Sequence, residues 1–157
     1  MSYIMDLRKI VGHRTLIMPC ACVIIEDGQG KILLQKRADD GKWGHHGGAI
    51  EIDESAEDAA RREVREELNL ELDELRLFGV YSGPGFHHVY PNGDETSCID
   101  IVYVCGKYHG SMRLQVEEVT EVGWFGPEEL PDNLSDNPKR AIMDYFDQWK
   151  KEKKLQN

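Results

Sequence analysis

The sequence predicts an α/β fold, a mixed β-sheet held between helices, and three observations carry that expectation. Apolar, β-branched runs bounded by turn residues recur through the chain. Two stretches show helical rather than alternating periodicity, one in the middle and one near the end. The order of these elements is a strand hairpin, a loop, a helix, several strands and a terminal helix, the pattern of layered α/β domains. A length of 157 residues suits one domain, residues 1–157, with one sizeable core, and neither an internal repeat nor a low-complexity linker divides it.

Residues 1–15 form a short helix or an arm. From Leu16 to Ile25 the chain is apolar, EDGQGK supplies turn chemistry, and Ile32 to Lys36 completes a hairpin. Ile32 and Leu34 alternate with Leu33 and Gln35, which predicts a strand buried on parts of both faces. A glycine-rich loop, ADDGKWGHHGG, follows. Ser55 suits a helix N-cap, with Asp58 three residues on as an acidic variant of the capping box. Ala60, Val64 and Leu68 then make an apolar stripe, and Glu63, Glu66 and Glu67 fall on the adjacent face, within an arc of about 100°. Three carboxylates so placed repel one another. A cation would offset that repulsion, and Mg²⁺ is typically held by carboxylates, water and substrate phosphates.

Beyond the helix, Leu75 to Tyr81 reads as a strand that SGPGF ends. Phe86 to Tyr90 and Ser97 to Val104 flank PNGDE, whose Asn-Gly pair signals a hairpin. Its aromatic and imidazole side chains, Phe86 and His88 among them, are candidates for stacking on a base or sugar. An acidic loop, QVEEVTE, precedes a strand over Val122 to Phe125. GPEELP predicts a short helical turn, and residues 136–153 a C-terminal amphipathic helix carrying Ile142, Met143, Tyr145, Phe146 and Trp149, with a fraying tail.

Composition bounds the function. Acidic residues number 29 against 19 basic ones, a net charge of -10, which disfavours binding to nucleic acid and favours a small phosphorylated substrate bridged by metal. No run approaches the roughly 18 apolar residues of a membrane span and no secretory signal is evident, so a cytoplasmic protein is expected. Cys20, Cys22, Cys98 and Cys105 lack zinc-ligand spacing and read as buried reduced thiols. The adjacent histidines His45 and His46 likewise sit in a loop without further ligand spacing.

The stretch from Gly48 to Leu70, GAIEIDESAEDAARREVREELNL, resembles the Nudix box, G-x5-E-x7-R-E-U-x-E-E-x-G-U with U aliphatic. Gly48, Glu54, Arg62, Glu63, Val64, Glu66, Glu67 and Leu70 match. Asn69 replaces the box glycine, Asp53 a glycine common in relatives, and His46 a proline of the approach loop, which would bring an imidazole close to the expected phosphates. Asparagine and aspartate tolerate left-handed backbone better than most residues, so both substitutions preserve the required geometry.

The resemblance implies a Nudix-type α/β/α sandwich and a Mg²⁺-dependent pyrophosphohydrolase, with Mn²⁺ as a substitute ion. Gly48, through its carbonyl, and Glu63, Glu66 and Glu67 would hold metal. Arg62 would tie the carboxylates in place. Glu54 is the first candidate for base or water-positioning group, and Glu118, six residues before Trp124, is its rival, with Glu117 and Glu121 as alternatives. Arg37 is a candidate phosphate contact. The implied substrate is a nucleoside diphosphate linked to another moiety, of the nucleotide-sugar, ADP-ribose or CDP-alcohol type. Alternatives are a nucleoside triphosphate pyrophosphohydrolase that removes damaged nucleotides, and a non-catalytic nucleotide-binding sensor. Dimerisation is common in the family and implies a possible homodimer.

Overall fold

Strand Leu16–Glu26 (β1) organises the molecule because it is apolar on both faces. Ala21, Val23 and Ile25 point to one side of the sheet and Cys20, Cys22 and Ile24 to the other, as the two-residue period requires. The computed structural model describes residues 3–155; Met1, Ser2, Gln156 and Asn157, on which parts of the expected terminal segments fall, lie outside them.

A helix, Tyr3–Val11 (α1), precedes β1 and settles the choice between helix and arm. The buried Arg8 anchors it, donating to the carbonyls of Gly12, Arg14 and Glu95. The hairpin partner Ile32–Arg37 (β2) meets β1 at Ile25↔Leu33 and Glu26↔Ile32, and Ile32 to Gln35 are all buried. The glycine-rich stretch expected as a loop instead contains two short strands, Trp43–Gly44 (β3) and His46–Ala49 (β4). β4 is antiparallel to β1, with Ala21↔Gly48 and Cys22↔Gly47. Gly47 permits this at φ 132°, since a Cβ there would lie 2.2 Å from the Ala21 carbonyl oxygen.

The box helix runs Ala56–Leu68 (α2). Ser55 caps it by accepting from the Asp58 N–H at 3.1 Å, and Asn69 ends it in the left-handed region at φ 58°. Asp53 also has positive φ, 60°, so both replaced glycines keep glycine-like backbone. Next come Glu71–Leu72 (β5), Arg76–Tyr81 (β6), a single 3-10 turn at Pro84–Phe86, His87–Val89 (β7), Glu95–Cys105 (β8), Tyr108–His109 (β9) and Val119–Phe125 (β10). β7 and β8 form the expected hairpin, with His87↔Ser97. The main sheet runs β10-β2-β1-β8-β6. Its β1–β8 pair is parallel and its other pairs are antiparallel, so the sheet is mixed.

The GPEELP segment is a turn, with Glu129 N–H donating to the Gly126 carbonyl at 3.1 Å, rather than a helical turn. Pro127 and Pro131 bracket too few residues to propagate one. The terminal helix, Asp136–Leu155 (α3), continues through most of the stretch expected to fray. Of its apolar positions, Ile142, Tyr145 and Phe146 are buried but Met143 is exposed.

The core lies on both faces of the sheet. Ala60, Val64 and Leu68 of α2 pack on Ala21, Val23, Ile25 and Leu33. Ile142, Tyr145 and Phe146 of α3 pack on Ile24, Ile32, Leu34, Val102 and Val104. At about 1.5–3 kcal/mol for each fully buried aliphatic or aromatic side chain, these two layers fix α2 and α3 on opposite sides. The fold is therefore the α/β/α arrangement expected. No helix among the described residues is long and apolar enough to cross a membrane.

Candidate active site

One cleft of about 510 Å³ gathers most of the residues that the sequence singles out. The α2 carboxylates Glu63, Glu66 and Glu67 line it together with Gly47, Gly48, Arg62, Glu117 and Glu118. Arg37, Lys42, His45, His88 and Tyr90 line it as well, and Cys20, Cys22, Cys98 and Asp100 contribute from β1 and β8.

Arg62 is the hub of the box. Its Nε and Nη2 donate to the two oxygens of Glu54 at 2.8 and 2.9 Å, Nη1 donates to Glu63 at 2.7 Å and to Glu66 at 3.4 Å, and Nη2 also reaches the Ala49 carbonyl at 3.0 Å. A planar guanidinium can serve these acceptors at once; an ammonium cannot reproduce the fork. Hydrogen bonding to Arg62 holds Glu54 below the usual carboxylate range, and Glu54 Oε2 also accepts the Glu51 N–H at 3.0 Å. Glu54 is not among the residues lining the cleft.

Burial pushes the Glu63 carboxyl up against the pull of Arg62, with the charges of Glu66 and Glu118 acting in the same direction as burial. Glu67 is buried more deeply, 4% exposed, and burial pushes it up to about 8. Gln35 Nε2 donates to Glu67 at 2.7 Å and Gly47 N–H at 3.2 Å. Behind Gln35 stands the fully buried His46, its Nδ1 2.8 Å from Gln35 Oε1 and its Nε2 3.2 Å from the Leu33 carbonyl. Burial takes the His46 pKa down to about 3. A neutral ring carries one N–H, and the shorter contact assigns it to Nδ1. His46 thus supports Gln35 and Glu67 from within the core, which corrects the expectation that its imidazole faces the phosphates. Gln35 escaped the sequence reading; a lone amide in the apolar run ILLQ was the available signal.

The acidic loop reaches this cluster because it closes the end of α2. Arg113 N–H donates to the Leu68 carbonyl and Gln115 N–H to that of Glu67, both at 2.9 Å, satisfying groups a helix end leaves open. Glu118 and Glu117 come to line the cleft. Glu121 does not; it lies on β10, 3.6 Å from Lys36.

The remaining candidates divide. Arg37 lines the cleft but is engaged bidentately by Asp39, at 2.6 and 2.9 Å. His88 lines the cleft, in edge contact with Tyr90 at 4.4 Å. Phe86 does not: it ends the 3-10 turn, leaves the alternation of β7, and is buried near Tyr81 at a ring separation of 6.2 Å.

The donor set suits a hard divalent cation. Carboxylates supply the oxygens, and Gly48 leaves room for one of them, since a Cβ there would meet the Glu63 carboxylate at 2.6 Å. Among the described residues no three of the box carboxylates bring their oxygens within 4.8 Å of one another, so a bound ion would draw them together. Gly48→Ala is expected to fold normally yet lose about a hundredfold in turnover, the scale of a displacement near 1 Å in the site; steady-state kinetics beside a thermal melt checks this.

A mixed sheet between helices, carrying an acidic cleft whose carboxylates suit a divalent cation, defines an α/β domain of the cation-assisted type. The family model for the NUDIX domain matches residues 16–146, and the chain belongs to the Nudix hydrolase family, whose members hydrolyse phosphorus-containing anhydrides and generally use a divalent metal such as Mg²⁺. A MutT-like protein of Streptomyces ambofaciens is 30% identical over 80% of this chain and 73% of its own length. The nucleoside triphosphatase NudI of Escherichia coli is 33% identical over 75% and 85%. The Nudix hydrolase YfcD of Salmonella typhi is 32% identical over 69% of this chain, which spans only 57% of that protein. Among solved structures, a MutT Nudix hydrolase from Burkholderia pseudomallei superposes with TM-score 0.68 at 27% identity, covering 83% of this chain and 97% of that one. A Nudix hydrolase from Nitrosomonas europaea gives 0.65 at 26%, covering 87% and 73%.

Proposed function

We propose that this protein is a Mg²⁺-dependent pyrophosphohydrolase that cleaves the diphosphate linkage of a nucleoside diphosphate joined to another moiety. The observation that carries the reading is the joining, in one cleft, of the α2 carboxylates with a nucleotide-sized volume bordered by Arg37, Lys42 and His88. Among the described residues, the guanidiniums of Arg37 and Arg62 are already engaged by carboxylates, and Lys42 is the lining cation with no such ion pair. So little unengaged positive charge suits two phosphates better than three.

Glu63, Glu66, Glu67 and the Gly48 carbonyl would hold the ion. When bound, it neutralises phosphate charge and makes its water acidic enough to attack at neutral pH. Gln35 and Gly47 orient Glu67, and Arg62 orients Glu63. Proton acceptance falls to Glu118, which lines the cleft, rather than to Glu54, whose two oxygens are taken by Arg62 and the Glu51 N–H. Glu118→Gln is expected to lower turnover about 100- to 10,000-fold. Glu54→Gln should lose far less, and a larger loss in Glu54→Gln than in Glu118→Gln would return the base to Glu54.

Similarity to NudI favours a second reading, hydrolysis of nucleoside triphosphates. A panel of nucleotide sugars, dinucleoside polyphosphates, CDP-alcohols and triphosphates, scored by released product in Mg²⁺ and Mn²⁺, separates the two. Nucleotide binding by calorimetry without turnover on any of them would identify a sensor domain instead.

A further inference from the structure

We propose that Cys22, His45 and Asp100 form a second cation site on the same cleft, one that takes zinc or a similarly thiophilic divalent ion. Their candidate ligand atoms, one sulfur, one imidazole nitrogen and one carboxylate oxygen, all lie within 4.8 Å of one another. Four tetrahedral zinc bonds of about 2.0–2.3 Å place neighbouring ligand atoms roughly 3.3–3.8 Å apart. Small rotations of these side chains therefore close the set. Asp100 also belongs to a second group of the same compactness, with Cys20 and Cys98; neither of those two joins the group of Cys22 and His45, so the fourth position would be left to water or substrate.

An independent observation points to a ligand. His45 Nε2 is buried and has no hydrogen-bond partner among the described residues, and an unmet buried nitrogen of this kind carries a desolvation cost that a bound group removes. Burial takes the His45 pKa down to about 4, which keeps the ring neutral, the form that ligates metal. Burial, with the Asp100 charge, holds the Cys22 thiol protonated; coordination deprotonates a thiol outright, and that is the cost this site must meet.

The two sites of the cleft would differ in chemical character. The α2 helix offers carboxylate oxygens, which suit hard Mg²⁺. The floor offers sulfur and imidazole, which Mg²⁺ takes poorly and zinc takes well. The floor site stands on the strand frame rather than on α2: Cys22 pairs with Gly47 and Val102 across β1, β4 and β8. The inference does not depend on which nucleotide the enzyme hydrolyses, or on whether it hydrolyses one.

Cobalt titration of the metal-stripped full chain, in Mg²⁺ sufficient to saturate the carboxylates, tests it. The expected result is one equivalent of Co²⁺ bound with a thiolate charge-transfer band in the near ultraviolet, displaced by Zn²⁺. Cys22→Ser and His45→Gln should each weaken Co²⁺ binding by at least about a hundredfold, more than the loss of an outer-shell partner, while Glu66→Gln leaves it intact. Circular dichroism confirms that each variant is folded. His45 is partly exposed, so its variant decides the matter even if the buried serine substitution unfolds the chain. Absence of the thiolate band, wild-type affinity in His45→Gln, or binding that Glu66→Gln abolishes would each overturn the proposal.

Discussion

Replacing Glu67 by glutamine is expected to abolish most hydrolysis and, at about pH 8, to raise the melting temperature. Both effects come from one carboxyl group. In the fold, burial raises its pKa from 4.5 to about 8, whereas in the unfolded chain it ionises near its ordinary value. Between these values the native state binds more protons than the unfolded state, so native stability falls as pH rises through this window and levels off above it. Glutamine mimics the protonated acid and is exempt. Its advantage over wild type should vanish below about pH 4.5 and grow to its full size above about pH 8, with about 2–4 °C of melting temperature for each 1 kcal/mol in a chain of this size. Activity moves the other way, by at least about a hundredfold, as expected when a group that acts electrostatically in the transition state is removed. Melting curves across pH in metal-free buffer, beside turnover measurements in Mg²⁺, provide the check. A variant less stable than wild type at pH 8, or one retaining full turnover, would refute this account of Glu67.

Arg62→Lys should be nearly as damaging to catalysis, with the opposite effect on stability. Lysine keeps the charge but cannot hold both oxygens of Glu54 while also donating to Glu63 and the Ala49 carbonyl. Turnover is expected to fall about a hundredfold as Glu63 is released. Stability should drop by about 2 kcal/mol, below the roughly 3–5 kcal/mol of breaking a fully buried pair, because the Arg62 side chain remains 26% exposed. Glu54→Gln alone should reproduce part of this loss and add little to it in the Arg62→Lys background. That non-additivity marks residues acting as one unit. A double-mutant cycle in which the two losses simply add would show that Glu54 acts on its own.

The box helix could be read from the sequence in detail because its determinants are local. Ser55, Asn69 and the Ala60–Val64–Leu68 stripe all act within a few turns of chain, and each behaves in the structure as the pattern implied. Both left-handed positions, Asp53 and Asn69, follow the same logic. Where the outcome depended on distant partners, the reading was less successful. The segment before the box is strand because β1 and β2 lie beside it, not because HHGG favours a strand. His46 turned inward to Gln35 rather than outward to the cleft. Phe86 and His88 look equivalent in an alternating run, yet one turn of 3-10 helix separates their fates.

The sequence by itself determined a mixed α/β domain, an acidic cleft helix and the family to which they belong, since helix caps, hydrophobic periods and fixed spacings are written within short stretches of chain. Only the tertiary structure showed that Glu118 lines the cleft while Glu54 is tied to Arg62. It also decided how Gln35 comes to support Glu67, and how Cys22, His45 and Asp100 meet. Those relations join residues tens of positions apart, and the packing of β1, β2, β4, β8 and α2 against one another sets the distances between them.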